Sequence, residues 1–291
     1  MIRGKTRSPA TTRDTIQHLL PPAVQQLKAA GSSTPALDVQ LWLAHVCGLN
    51  RAQLLARPER TLTPEQTARF HTGLARLVSN EPLPYLTGRA EFYSLAFTVT
   101  PDTLIPRPET EHLVDAGLQI ENHKSQIIIA DVGTGSGCLA VTLAVHLPAA
   151  QVFATDLSPA ALQVAFHNAE QHGVAGRITF LQGYLLEPLP GRVNLIVANL
   201  PYVADSEWDD LPISVREYEP AGALRGGPEG LDLIEELLKQ APAVLHPGGS
   251  VLLEIGAAQG AAALALARLY FPTSNLQQDY AGRDRLLVIQ T

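Results

Sequence analysis

Cysteine is almost missing from this sequence: Cys47 and Cys138 are the two in 291 residues, and they lie far apart. That excludes a disulfide framework and any thiolate metal site with local ligand spacing. No apolar run approaches the roughly 18–20 residues that cross a bilayer. The N-terminal stretch "MIRGKTRSPATTR" is basic and polar with no apolar segment behind it, so no secretory signal is read and a cytoplasmic location is expected. Positive charge is also scarce. Lys and Arg number 21 against 28 Asp and Glu, a net charge of −7 with a pI near 5.7. A protein built to grip a phosphate backbone carries a basic face, and no dense Lys/Arg cluster supplies one, so direct nucleic-acid binding is not expected. Nine histidines include no H-x-H and no H-E-x-x-H, and no metal is expected. A G-x-S-x-G elbow and a Walker A loop are absent too.

What is there begins with a tail. Residues 1–11 read as disordered. Residues 12–85 read as a small bundle of about four helices. "TIQHLL" and "AVQQLKAAG" are periodic segments flanking Pro21-Pro22, with Gly31 as a stop. In "STPALDVQLWLAHVCGL", Ser33 or Thr34 caps, Pro35 suits the first turn, and Leu37, Leu41, Leu43, Ala44 and Cys47 make the apolar face. Thr63 caps a further helix with Gln66 at the capping-box spacing. None of these residues looks catalytic. Residues 86–104 change character: Tyr93, Leu95, Phe97 and Val99 alternate, which predicts a hairpin joining two domains.

From Ile127 the pattern is strand and helix in alternation, which predicts a mainly parallel sheet with helices on both faces over residues 105–291. "IIIADV" is an apolar strand and "DVGTGSGC" follows it directly. Gly133, Gly135 and Gly137 permit a tight turn and a close backbone approach to a ligand. The dinucleotide fingerprint G-x-G-x-x-G is not met, because the third glycine comes one residue early. Asp156 ends the next strand, where a carboxylate accepts both hydroxyls of a ribose. Its alternative is to cap the following helix, which begins Ser158-Pro159. Asp131 stands where it can face a cationic amino group. A ribose and an amino acid together describe S-adenosylmethionine, and here the chain resembles the seven-stranded class I methyltransferases, a Rossmann-like α/β fold.

The fourth strand, "VNLIVAN", stops at Asn199-Leu200-Pro201-Tyr202, beside the glycine loop. An Asn-x-Pro-Tyr motif there suits methylation of a planar nitrogen, either an amide or the exocyclic amine of a base. Such a nitrogen is a poor nucleophile because its lone pair is delocalised. Asn199 Oδ1 and the Leu200 carbonyl accept its two hydrogens and line it up with the methyl donor. Pro201 fixes the backbone and Tyr202 offers a flat face. The motif alone leaves glutamine and adenine open.

Longer segments narrow the choice. "LIPRPETE", "EYEPAGALRGGPEGLDLIEELL", "HPGGSVLLEIGAAQG", "DYAGRDRLLVIQ" and the N-terminal "TPALDVQLWLAHVCGL" are similar to the release factor glutamine methyltransferase family, over about residues 15–291. The resemblance implies transfer of a methyl from S-adenosylmethionine, leaving S-adenosylhomocysteine, to the glutamine amide of the Gly-Gly-Gln motif of class 1 peptide chain release factors. It also implies a helical domain that docks the factor; a monomer is expected. It puts the donor on Asp131, Gly133, Thr134, Gly135, Ser136, Gly137, Asp156, Tyr184, Leu185 and Asn199. The substrate glutamine falls to Asn199, Leu200, Pro201 and Tyr202, with Phe92 and Arg107 as walls. Glu219 and Glu254 read as scaffold. The chain departs from the family pattern at Leu200, where Pro is usual, and at Tyr184 and Asn194, where Asp is usual. Rival readings are a ribosomal protein glutamine methyltransferase and an adenine N6-methyltransferase acting on rRNA or DNA.

Overall fold

The computed structural model describes residues 14–121 and 127–291. The tail expected over residues 1–11 lies outside them. The chain divides into two compact units, one ending at Thr87 and one starting at Gly88.

The first unit is helical: α1 Ile16–Ala29, α2 Pro35–Cys47, α3 Arg51–Leu55, α4 Pro64–Val78 and α5 Leu83–Thr87. Helix α1 runs straight through Pro21-Pro22, where the sequence suggested a break. Two intrahelical donors are lost there, but the N-terminal end is held otherwise: the Ile16 and Gln17 N–H groups donate to the Arg60 and Pro58 carbonyls. Helix α4 starts with the expected capping box, Thr63 Oγ1 accepting from the Gln66 N–H and Gln66 Oε1 from the Thr63 N–H, both at 3.1 Å. The buried face of α2 differs from the one expected. Val39, Trp42, Leu43 and Val46 face the core, while Leu37 and Leu41 are exposed. The deciding contact is Trp42, whose Nε1 donates to the Phe70 carbonyl at 3.0 Å. Its ring lies where any Cβ on Gly73 would be, 2.0 Å away, so a glycine in α4 makes room for it.

The second unit opens with a hairpin, β1 Arg89–Phe92 and β2 Leu95–Thr98. Tyr93 belongs to its turn, not to a strand: Tyr93 and Ser94 both have positive φ, 51° and 60°, as a two-residue type I′ turn requires. The Tyr93 N–H is satisfied by Glu111 Oε1 at 2.7 Å. Then follow α6 Glu111–Glu121, β3 Ile127–Val132, α7 Cys138–His146, β4 Ala150–Asp156, α8 Pro159–Gln171, β5 Ile178–Gln182 and β6 Val193–Ala198. The chain continues through α9 Ile213–Arg216, α10 Asp232–Val244, β7 Leu245–Glu254, α11 Gly260–Tyr270, β8 Ser274–Gln278 and β9 Asp284–Gln290.

Seven strands form one sheet in the order β5-β4-β3-β6-β7-β9-β8. The first five are parallel, and β9 runs antiparallel to both β7 and β8. Strand β8, "SNLQQ", has one strongly buried residue and no apolar alternation, so periodicity does not reveal it. The central strands are buried on both faces. Ile127, Ile129, Leu195 and Val197 pack with α6, α7 and the hairpin, and Ala130, Val132, Ile196 and Ala198 with α10 and α11.

Candidate active site

Strand order reverses at β3. The chain moves outward from β3 through β4 to β5, then returns to place β6 on the other side of β3. The loops leaving β3 and β6 therefore diverge and open a crevice at the carboxyl ends of the strands. Register brings the ends level: Val132 pairs with both Thr155 and Ala198. The next residues, Gly133, Asp156 and Asn199, share one cavity of about 310 Å³. Its wall also includes Thr134, Gly135, Ser136, Tyr184, Leu185, Leu200, Pro201 and, from the segment before α6, Leu104, Arg107 and Thr110.

The glycine loop is tied down from two sides. Gly133, Gly135 and Gly137 all have positive φ, 71°, 54° and 79°. The Gly135 N–H donates to Asp156 Oδ2 and the Ser158 N–H to Asp156 Oδ1, each at 2.9 Å. Asp156 is thus not the cap of α8. Ser158 is, its Oγ accepting from the Ala161 N–H at 3.2 Å. Asp156 lines the cavity, and each of its oxygens has capacity to accept a further hydrogen bond. Asp131 lies beneath the loop, 1% exposed. Its Oδ2 accepts from Thr134 Oγ1 at 2.7 Å and from the Ala140 N–H at 3.0 Å, while Oδ1 is buried with no hydrogen-bond partner. Burial pushes its pKa up to about 7, against the pull of those two hydrogen bonds. Cys138, on the same wall, is pushed by burial to about 12 and stays a thiol.

The Asn199 segment is clamped from behind. The Val203 N–H donates to the Leu224 carbonyl and the Gly226 N–H returns a bond to the Val203 carbonyl, both at 2.9 Å. Gln259 Nε2 donates to the Tyr202 carbonyl at 2.8 Å. A Cβ on Gly226 would stand 2.6 Å from the Pro201 oxygen, which is why the approach needs a glycine. Asn199 Nδ2 donates to Thr110 Oγ1 at 2.9 Å, and Thr110 Oγ1 donates to Glu254 Oε2 at 2.6 Å. Tyr202 donates its phenol hydrogen to Glu254 Oε1 at 3.2 Å. Glu254 is 2% exposed. Burial raises its pKa, opposed by the Thr110 and Tyr202 hydroxyls and the Arg285 charge. Tyr202 is also raised, by burial and then by the Glu254 charge.

Four expected positions do not line this cavity. Phe92 is not a cavity wall: at 1% exposure it packs edge-on against Phe97 in the core, ring centroids 6.1 Å apart. Tyr202 turns its phenol to Glu254 and lines a separate groove with Gly256 and Gln259. Gly137 serves packing, since a Cβ there would lie 2.9 Å from the Ala165 Cβ. Asp131 is not itself a wall residue; it backs the glycine loop, with Oδ1 unpartnered. Arg107 does line the cavity, and its guanidinium also pairs with Glu219 Oε1 at 2.5 Å. Glu219 Oε2 accepts from the Ile105 N–H at 3.1 Å, which fixes the "LIPRPETE" segment across the cavity. Thr110 and Asn168 were not singled out by sequence. Asn168 Oδ1 accepts from the Thr98 N–H, and its Nδ2 donates to the Ser136 carbonyl at 2.8 Å, which joins the hairpin to the glycine loop through α8. Its signal, a lone polar residue on the apolar face of a helix, is a weak one. Among the described residues no group of His, Cys, Asp or Glu is placed to hold a metal ion.

Comparison with known proteins agrees with this geometry. The family described as "PrmC N-terminal domain" matches residues 18–88, and "Ribosomal protein L11 methyltransferase (PrmA)" matches residues 111–204. The second match covers the glycine loop and the Asn199 segment but less than half of the chain. Among solved structures, the hMettl16 catalytic domain in complex with an RNA hairpin superposes with a TM-score of 0.55 at 16% identity, covering 77% of this chain and 81% of that one. A 16S rRNA N2 G1207 methyltransferase from T. thermophilus, in complex with AdoMet and guanosine, gives 0.51 at 18% identity, covering 70% and 49%. At these identities the likeness concerns the fold alone. Whole-chain relatives are much nearer. The release factor glutamine methyltransferase of Moorella thermoacetica is 47% identical over 93% of this chain and 96% of its own. Those of Cereibacter sphaeroides and Nitratidesulfovibrio vulgaris are 43% and 38% identical, covering 91% and 96% of this chain and 94% and 96% of theirs. With a methyltransferase-type crevice, an Asn-Leu-Pro-Tyr strand end and end-to-end relatives of one kind, the chain belongs to the release factor glutamine methyltransferase family.

Proposed function

We propose that this protein methylates the side-chain amide nitrogen of the glutamine in the Gly-Gly-Gln motif of class 1 peptide chain release factors, with S-adenosylmethionine as donor. The observation that carries the substrate is the end-to-end similarity to release factor glutamine methyltransferases, and the pose of Asn199 suits an amide nitrogen. Asn199 Nδ2 is engaged by Thr110, and Oδ1 is left as an acceptor on the cavity wall, beside the glycine loop.

The cavity suits that donor on its own chemistry. Asp156 keeps lone pairs for two ribose hydroxyls. Asp131 Oδ1 is a buried carboxylate oxygen without a donor, and an ammonium group answers it. Tyr184 and Leu157 supply flat and apolar surface for a base. When bound, S-adenosylmethionine supplies an electrophilic methyl on a sulfonium sulfur.

The rest is the work of this chain's residues. Asn199 Oδ1 and the Leu200 carbonyl accept the two amide hydrogens. Drawing both hydrogens outward returns electron density to nitrogen and holds its lone pair toward the donor. With the donor bound, the nitrogen–methyl bond would form as the methyl–sulfur bond breaks, its electron pair returning to sulfur, and the positively charged nitrogen would lose one hydrogen as a proton to water, with Asn199 Oδ1 and the Leu200 carbonyl orienting that hydrogen. Pro201 keeps the carbonyl turned inward.

The adenine rival needs an extruded base and phosphate contacts, which an acidic chain of net charge −7 is poorly equipped to hold. The test is incubation of purified protein with a release factor and methyl-labelled donor, followed by mass mapping of the product. Label on the Gly-Gly-Gln glutamine is expected; label found only on an added adenine-containing oligonucleotide sinks the assignment.

A further inference from the structure

We propose that Thr110 and Glu254 are positioning residues that hold the Asn199 amide in one orientation, nitrogen toward Thr110 and oxygen toward the substrate. The inference rests on the function proposed above. Glu254 is the acceptor of both hydroxyls that reach it, and those two donors with the Arg285 charge favour its ionised, accept-only form against the effect of burial. Both Glu254 oxygens are engaged, Oε2 by Thr110 Oγ1 at 2.6 Å and Oε1 by Tyr202 at 3.2 Å. Thr110 has a single hydroxyl hydrogen, and the short contact commits it to Glu254. What Thr110 then shows to Asn199 is a lone pair. Only the NH2 end of an amide meets a lone pair favourably at 2.9 Å. A flipped Asn199 would set oxygen against oxygen there and turn its NH2 toward the incoming substrate nitrogen, donor against donor.

The relay is enclosed. Thr110 and Glu254 are each 2% exposed, so water does not easily replace a missing member. It also joins three separate elements: the turn before α6, the end of β7 and the end of β6. Within the strand end that carries Asn199, Leu200 and Pro201 are apolar and the Tyr202 hydroxyl is spent on Glu254. Orientation has to come from outside the motif, and Thr110 with Glu254 supplies it. Neither residue contacts substrate through this network. Their effect passes through Asn199.

Three variants test this: Thr110→Val, which keeps shape and loses the hydroxyl; Thr110→Ser, which keeps the hydroxyl; and Glu254→Gln, which keeps volume and breaks the one-way hydrogen count. The wild type is first assayed on a release factor and on an adenine-containing oligonucleotide, and the variants are read on whichever it methylates. A wrong substrate assignment is thereby kept apart from a wrong relay. Donor affinity is measured by calorimetry on every variant. Thr110→Val and Glu254→Gln are expected to lower kcat by about tenfold or more, and Thr110→Ser to restore most of it, with donor affinity held within about twofold throughout. A Thr110→Val enzyme with wild-type kcat overturns the proposal. So does a Thr110→Ser enzyme as slow as Thr110→Val, or a loss of donor binding that accounts for the loss of rate.

Discussion

The side-chain nitrogen of Asn199 lies 2.9 Å from the hydroxyl of Thr110, a residue 89 positions earlier in the chain. One contact thus links the strand end that bears the substrate motif to the segment that crosses the cavity. It also separates the two functions of the amide, anchoring by nitrogen and accepting by oxygen.

Replacing Asn199 by Ala removes both functions but touches no donor-holding backbone. Loss of one preorganised polar group of this kind costs about 10²–10³ in kcat. We expect a fall of that size in Asn199→Ala, with donor affinity changed by a few-fold at most. Single-turnover methylation and calorimetry check it. Undiminished turnover would remove Asn199 from the chemistry.

Leu200 makes a different case. It is 3% exposed, and its Cδ2 lies 3.3 Å from where a Cβ on Gly133 would sit, so its side chain packs under the glycine loop. Its proposed part in substrate binding is a backbone carbonyl, which proline also has. Leu200→Pro should therefore keep kcat near wild type and lose about 1–2 kcal/mol of stability through reduced apolar burial. Urea denaturation alongside the methylation assay separates the two effects. A dead but well-folded Leu200→Pro protein would mean that more than the carbonyl matters.

Gly137 tests the distinction between lining and packing. Its φ of +79° and a Cβ contact of 2.9 Å to Ala165 predict that Gly137→Ala strains the backbone and pushes α7 from α8. The cost is on the order of 1–3 kcal/mol. Gly135 has its nearest Cβ neighbour at 4.0 Å, so Gly135→Ala meets φ strain and a changed cavity wall without that clash. The expected pattern is a lower Tm for Gly137→Ala than for Gly135→Ala. The reverse order would assign the packing role wrongly.

The central strands, the glycine loop, Asp156 and the Asn199 segment are legible in the sequence, because each is a local pattern. A buried parallel strand is a run of apolar residues, and a sharp loop after it demands glycine. Strand β8 escaped because an edge strand with four non-buried positions has no period to detect. Tyr93 reads as strand because an aromatic residue hides a positive-φ turn. Leu37 and Leu41 read as inward-facing because hydrophobic identity cannot say which side of α2 Trp42 will claim. The Thr110 and Glu254 contacts were out of reach for a different reason. They join residues 144 positions apart, and only folding reveals that their hydrogens must be counted together.

Asp131 offers a prediction read from pH. Its carboxyl titrates near 3.8 when unfolded and at about 7 in the native state, because burial disfavours its charge. Between those values the native protein holds a proton that the unfolded chain has lost, so this group's contribution to stability shrinks as pH rises from about 4 to about 7. Asp131→Asn keeps an acceptor for Thr134 and the Ala140 N–H but cannot ionise. The Tm of the variant relative to wild type should therefore climb across that window. Ligand binding should run the other way. A cationic donor group meets an ionised Asp131 best, so wild-type affinity for S-adenosylmethionine should strengthen from about pH 5.5 to about pH 7, while the Asn variant stays flat and about tenfold weaker at the upper end. Thermal melts and calorimetry on the two proteins over the same buffers measure both slopes. Parallel curves for wild type and variant would show that the unpartnered oxygen beneath the glycine loop neither titrates in this range nor answers the donor.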